Sequence, residues 1–159
     1  MAKATFGAGC FWGVEYFFRE VQGVNDAICG YMGGDDSAIT YQEVKSGITG
    51  HAEVVEVDYD PELVSYEQLL NVFWTNHNPT TLNRQGEDEG SQYRSAIFYH
   101  SCEQQQSAIQ SKSALQSSGK WGDKRIVTEI AAATKFNKAE EYHQSYLQKN
   151  NLPSCHISF

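Results

Sequence analysis

The amino-acid sequence predicts an α+β fold in which an antiparallel or mixed sheet is covered by helices. Three observations carry this expectation. The elements follow the order β-α-β-β-α-β, with further α, β and α segments behind them. Ala52 to Tyr59 alternates as a strand should, with valines at 54, 55 and 57 and a closing Asp60-Pro61. Apolar residues recur at helical spacing after Gly9 and again after Ser65. With 159 residues, 40% of them hydrophobic, the chain is long enough for one domain with a real core.

Lys3 to Ala8 reads as a short strand entering a turn at Gly9. Phe11, Val14, Phe18 and Val21 form the apolar stripe of the first helix. Val24 to Met32 is a second strand, ended by the glycine-rich run Gly30-Tyr31-Met32-Gly33-Gly34. Tyr41 to Gly50 is a loop or a short helical piece. Ser65-x-x-Gln68 has the form of a capping box, and Leu69, Leu70, Phe73 and Trp74 follow it as a helical stripe. His77 to Ser91 is a long polar loop of the kind that often carries function. Arg94 to Tyr99 is a strand. Ser101 caps the next helix with Gln104 at the box position, and the thin apolar stripe of that helix places it on the surface. Ile126 to Ala131 is a short strand, Phe136 to Lys149 a final helix, and Asn150 to Phe159 a tail.

The formal net charge is -8, from 12 Lys and Arg against 20 Asp and Glu, with no long basic run. Nucleic acid and anionic membranes are therefore poor default partners. No apolar segment is long enough to span a bilayer, and the first residues lack a secretory h-region. Four cysteines (Cys10, Cys29, Cys102 and Cys155) in a chain of this size without such a signal point to the cytoplasm rather than to a disulfide scaffold.

The densest chemical signal is Gly9-Cys10-Phe11-Trp12-Gly13. It sets one cysteine at a strand-to-helix junction, where a helix start favours the reactive thiolate. Phe11 and Trp12 can form a dry slot for a small apolar group, although Phe11 also fits the helix's own core stripe. Glu53 shares a strand face with Val55, Val57 and Tyr59, while Glu56 points the other way. A carboxyl on an apolar face is held toward its neutral form by burial and can then donate a proton; the alternative is a frayed strand end with Glu53 in water. Tyr41 and Tyr93 are isolated aromatics in polar surroundings whose hydroxyls can bind a polarised oxygen. Cys155 lies near the end of the chain, where a mobile thiol can resolve a sulfenic acid if its Cα approaches that of Cys10 to about 5.5 Å. Cys29 and Cys102 read as passive residues of a strand and a helix. There is no CxxC, HExxH, P-loop or GxGxxG pattern, so neither a metal nor a nucleotide cofactor is expected.

Over nearly its whole length the chain resembles the class A peptide methionine sulfoxide reductases. The resemblance rests on Gly9-Cys10-Phe11-Trp12-Gly13, Gly30-Tyr31-Met32-Gly33-Gly34, Thr40-Tyr41-Gln42-Glu43-Val44, Ser46 to Glu53, His77-Asn78-Pro79-Thr80-Thr81 and Gly90-Ser91-Gln92-Tyr93-Arg94-Ser95. It implies a two-layer α/β sandwich with a ferredoxin-like βαββαβ core and a mixed, mainly antiparallel sheet. The whole chain, residues 1–159, would be a single catalytic domain, with 150–159 a mobile tail. The implied activity is reduction of the S epimer of free or protein-bound methionine sulfoxide to methionine, a repair of oxidative damage. Cys10 would attack the sulfoxide sulfur and Glu53 would donate a proton to the oxygen, assisted by Tyr41 and Tyr93. Phe11 and Trp12 would hold the S-methyl group, and Asp88 matches a substrate-binding aspartate. Cys155 matches the resolving cysteine of a redox-active disulfide that thioredoxin reduces. No bound cofactor is implied.

Overall fold

The computed structural model describes residues 1–34 and 49–150. Tyr41 and Cys155, and with them the expectations for the 41–50 loop and the 150–159 tail, lie outside the described residues except at Thr49, Gly50 and Asn150. The elements are β1 (Ala2–Ala8), α1 (Phe11–Arg19), β2 (Val24–Met32), β3 (Ala52–Tyr59), α2 (Tyr66–Thr75), β4 (Arg84–Gln85), β5 (Asp88–Glu89), β6 (Ser95–Tyr99), α3 (Cys102–Ser117), β7 (Glu129–Ala132), β8 (Asn137–Lys138) and α4 (Tyr146–Lys149), with single 3-10 turns at Ser91–Tyr93 and Glu141–His143. Six strands form one sheet in the order β7-β6-β1-β3-β2-β8, and β4 and β5 form a separate hairpin. The four central strands are antiparallel neighbours and only β7 runs parallel, to β6. The expected α+β fold with a mixed, mainly antiparallel sheet is the one observed.

The larger core lies between one face of this sheet and the helices. Phe6 of β1 is its hub, stacked against Phe18 of α1 at 4.9 Å and Phe73 of α2 at 5.2 Å between ring centroids. Each such fully buried side chain contributes about 1.5–3 kcal/mol relative to exposure. Val55 and Val57 belong to this core, whereas Val54 joins Met32, Ala52, Ala96 and Phe98 in a smaller cluster on the reverse face. This is the two-residue alternation expected of β3, with Glu53 on the helix-covered side. No described helix is long and apolar enough to cross a membrane.

Ser65 caps α2 in full. Its hydroxyl accepts from the Gln68 N–H at 3.1 Å, and its own N–H donates to Gln68 Oε1 at 2.7 Å. At α3 only half of the expected box forms. Ser101 accepts from the Gln104 N–H, but the Gln104 amide turns away to His100 N–H and Lys3 O. The loop expected at His77 to Ser91 contains the β4–β5 hairpin, and the strand expected at 126–131 is β7, three residues later at its start.

The final helix expected at 136–149 does not form as one element. Asn137 and Lys138 instead pair with β2, and the Gln144 side chain accepts from Cys29 N–H at 2.9 Å and donates to Cys29 O at 3.0 Å. The edge of β2 needs partners for its backbone groups, and that demand overrides local helical spacing. Two contacts to α1 complete the anchorage. Buried Glu15 accepts from the Ser145 N–H at 2.8 Å, and the Trp12 indole Nε1 donates to His143 Nδ1 at 3.0 Å. His143 Nε2 faces Glu140 at 3.3 Å, so this bonding suits a neutral ring with its proton on Nε2.

Ser65→Ala removes the cap acceptor and is expected to lower stability by about 1 kcal/mol in urea unfolding. Burial pulls the His143 pKa below its ordinary 6.5, against the opposing charge of Glu140. The unfolded chain then binds the proton first as pH falls, so this contribution to stability is lost below pH 6.5 and regained above it. His143→Gln keeps an acceptor for Trp12 and is expected to lose less stability between about pH 7.5 and about pH 5 in denaturant titrations; an equal loss in both proteins refutes this assignment.

Candidate active site

The topology gathers one end of the sheet. β1 ends at Ala8, β2 ends at Met32, and β3 and β6 begin there at Ala52 and Ser95. Gly9, with φ of 92°, turns the chain from β1 into α1 in a conformation open to glycine. Cys10 is the N-cap residue of α1, half-buried, and its carbonyl accepts from Gly13 N–H and Val14 N–H. Its thiol is not the helix cap.

Glu53 is 1% exposed and stands directly across from Tyr31 in the β2–β3 register. Its Oε1 accepts the Phe11 N–H at 3.2 Å. The carboxyl therefore lies at the first turn of α1, bonded to the residue that follows Cys10. Here the structure brings together the two groups that the sequence supplied from separate segments. The fraying alternative does not occur, because His51, Ala52 and Glu53 are all buried.

Phe11 is fully buried, with its ring between Tyr31 at 5.6 Å and His143 at 5.2 Å. Trp12 is half-buried, hydrogen-bonded to His143 and stacked on Tyr146 at 3.8 Å. Of the two rings only Trp12 presents surface. Tyr93 ends a 3-10 turn that packs on β3, its N–H bonded to Gly90 O at 3.0 Å. Asp88 stands on the exposed β4–β5 hairpin, paired in register with Gln85. That hairpin is tied back to the loop by Gln85, which accepts from Asn78 N–H and donates to Asn78 O.

Cys29 lies buried under α1, its Sγ 3.6 Å from Phe11 O. Burial first, then the negative charges of Glu15 and Glu53, push its thiol well above the ordinary range, against Arg19. It is held protonated and unreactive at neutral pH. Cys102 is exposed at the start of α3. Burial likewise raises Tyr31, whose hydroxyl donates to Glu140 Oε2 at 3.3 Å. Among the described residues no three His, Cys, Asp or Glu side chains group as a metal site.

Sequence reasoning missed Tyr31, His143 and Tyr146, which surround Phe11 and Trp12, and Glu140, which accepts from Tyr31 and faces His143. The one signal was the polar and aromatic run Glu140-Glu141-Tyr142-His143, which reading 136–149 as a single helix concealed.

The model of the family described as peptide methionine sulfoxide reductase matches residues 2–159. The chain is 59% identical over 155 residues to the peptide methionine sulfoxide reductase MsrA of Methanothermobacter thermautotrophicus, covering 98% of this chain and 91% of that one. It superposes on Mxr1 from Saccharomyces cerevisiae in reduced form with a TM-score of 0.91 at 37% identity, covering 99% of this chain and 91% of the other. Mxr1 in complex with Trx2 gives a TM-score of 0.67 at 28% identity, covering 99% and 88%. These likenesses run almost from end to end, and the chain belongs to the peptide methionine sulfoxide reductase family, as a thiol-dependent oxidoreductase of that kind.

Proposed function

We infer that this enzyme reduces the S epimer of methionine sulfoxide, free or in proteins, with Cys10 as nucleophile and Glu53 as proton donor. One observation carries the reading: the buried Glu53 carboxyl is hydrogen-bonded to the N–H of the residue after Cys10. Sulfoxide oxygen is a poor leaving group until protonated, so a thiolate and an acid must face the same sulfur. The Cys10 thiolate attacks that sulfur, and the oxygen passes to Cys10 with a proton from Glu53. Methionine leaves and Cys10 becomes a sulfenic acid. The hydroxyls of Tyr93 and Tyr41 stabilise charge on the oxygen, while Trp12, backed by the buried ring of Phe11, holds the methyl group, and Asp88 binds substrate. Holding methyl and oxygen in fixed places relative to Cys10 is what selects one epimer.

Cys155 then attacks the sulfenic sulfur, releasing water and leaving a Cys10–Cys155 disulfide. Thioredoxin reduces it through a mixed disulfide. Support for this partner comes from the complex of the similar yeast protein with Trx2. Cys29 is a poor alternative resolver, because its buried thiol is held protonated.

Cys10→Ser is expected to abolish reduction in an epimer-resolved assay with dithiothreitol, and turnover of the R epimer by the unaltered chain would refute the stereochemical assignment. Glu53→Gln keeps the shape but removes the acid, and should slow the reductive step about a hundredfold or more in single-turnover kinetics. Cys155→Ser should still form one methionine per chain but stall with thioredoxin; full recycling would remove Cys155 from its role.

A further inference from the structure

The geometry points to Arg94 as the positioning residue that sets Glu53 and Tyr93 relative to the substrate oxygen; this rests on the reading of those two residues above. Arg94 precedes β6, and its side chain is only 15% exposed. Its Nη1 donates to Gly50 O at 3.1 Å and Ser91 O at 2.9 Å, and its Nη2 to Gly33 O at 3.4 Å. Its Nε donates to Glu129 Oε1 on β7 at 3.0 Å. One guanidinium thus joins the backbone just after β2, just before β3 and within the turn that carries Tyr93.

Two of these attachments sit close to a reacting group. Gly50 is three residues before Glu53, and Ser91 is two before Tyr93. Gly33 and Gly50 both hold positive φ, 85° and 71°, a conformation that costs little only for glycine. A Cβ on Gly33 would lie 3.1 Å from Arg94 Nη2 and 2.8 Å from Phe98, so the close approach itself needs glycine. Gly7 of β1 lies between the Glu53 and Arg94 carbonyls, where a Cβ would meet them at 3.2 and 3.3 Å. A planar fork with five N–H donors can satisfy this set of carbonyls and one carboxylate together; a lysine ammonium on a flexible stem cannot hold the same spacing.

Among the described residues Arg94 touches no reacting atom, and it acts through the loops it joins. Arg94→Lys keeps the charge and loses the fork. It is expected to slow the single-turnover reductive step about tenfold at saturating sulfoxide, with KM moved less than about twofold. In a Tyr93→Phe background the same substitution should cost distinctly less, because its route to the oxygen is already cut. Hydrogen exchange at 50–53 and 91–93 should quicken while the central strands stay protected. Glu129→Gln loosens one arm and should give a smaller loss of the same kind. Additive losses with Tyr93→Phe, a loss confined to KM, or unchanged exchange at both segments would overturn the proposal. The exchange measurement needs no turnover, so it decides the clamp even if Cys10 and Glu53 prove not to be the reacting pair.

Discussion

A carboxyl removed from water must find donors, and Glu53 finds one in the N–H of Phe11. The rest of the arrangement follows from that bond. It fixes the first turn of α1 against the start of β3, and Cys10 occupies the junction between them. The positive end of the helix and the acid are thereby directed at one place. The register of β1 on β3, the turn at Gly9 and the packing of Phe18 on Phe6 all serve to keep that distance.

The two faces of the sheet divide the work at this end. Glu53 lies on the helix-covered face, in step with Val55 and Val57. Arg94 is in step with Ala96 and Phe98, which belong to the reverse-face cluster, and gathers the loops from behind. Arg94 thereby ties the backbone that leads into Glu53 through its bond to the Gly50 carbonyl. Burial beneath α1 keeps the Cys29 thiol protonated, so this sulfur is silenced by its position alone.

Much of this was legible in the sequence. The parity of Ala52 to Tyr59 gave Glu53 its face, and the bounds of β2 and β3 followed from alternation and turn residues. Ser65 and Gln68 announced their cap through a local pattern whose two bonds need nothing distant. Failure came where distant partners decide the outcome. Asn137 and Lys138 become a strand only because β2 offers an edge 108 positions away at the pairing of Lys138 with Gly30, roughly two-thirds of the chain in sequence. The same holds for His143 and Tyr146, which reach Trp12 by a path that no local periodicity encodes. Arg94 lay inside a quoted motif, yet its three carbonyl partners belong to three separate segments.

Gln144 has a consequence of a different order. A glutamine amide carries one acceptor and a pair of donors, and here it reproduces what a neighbouring peptide would offer to Cys29. Together with β8 it closes the outer margin of β2, where an unpaired ladder would invite a strand from a second molecule. The chain thus shields itself from edge-to-edge self-association on that flank, using a side chain where a longer strand would otherwise be required.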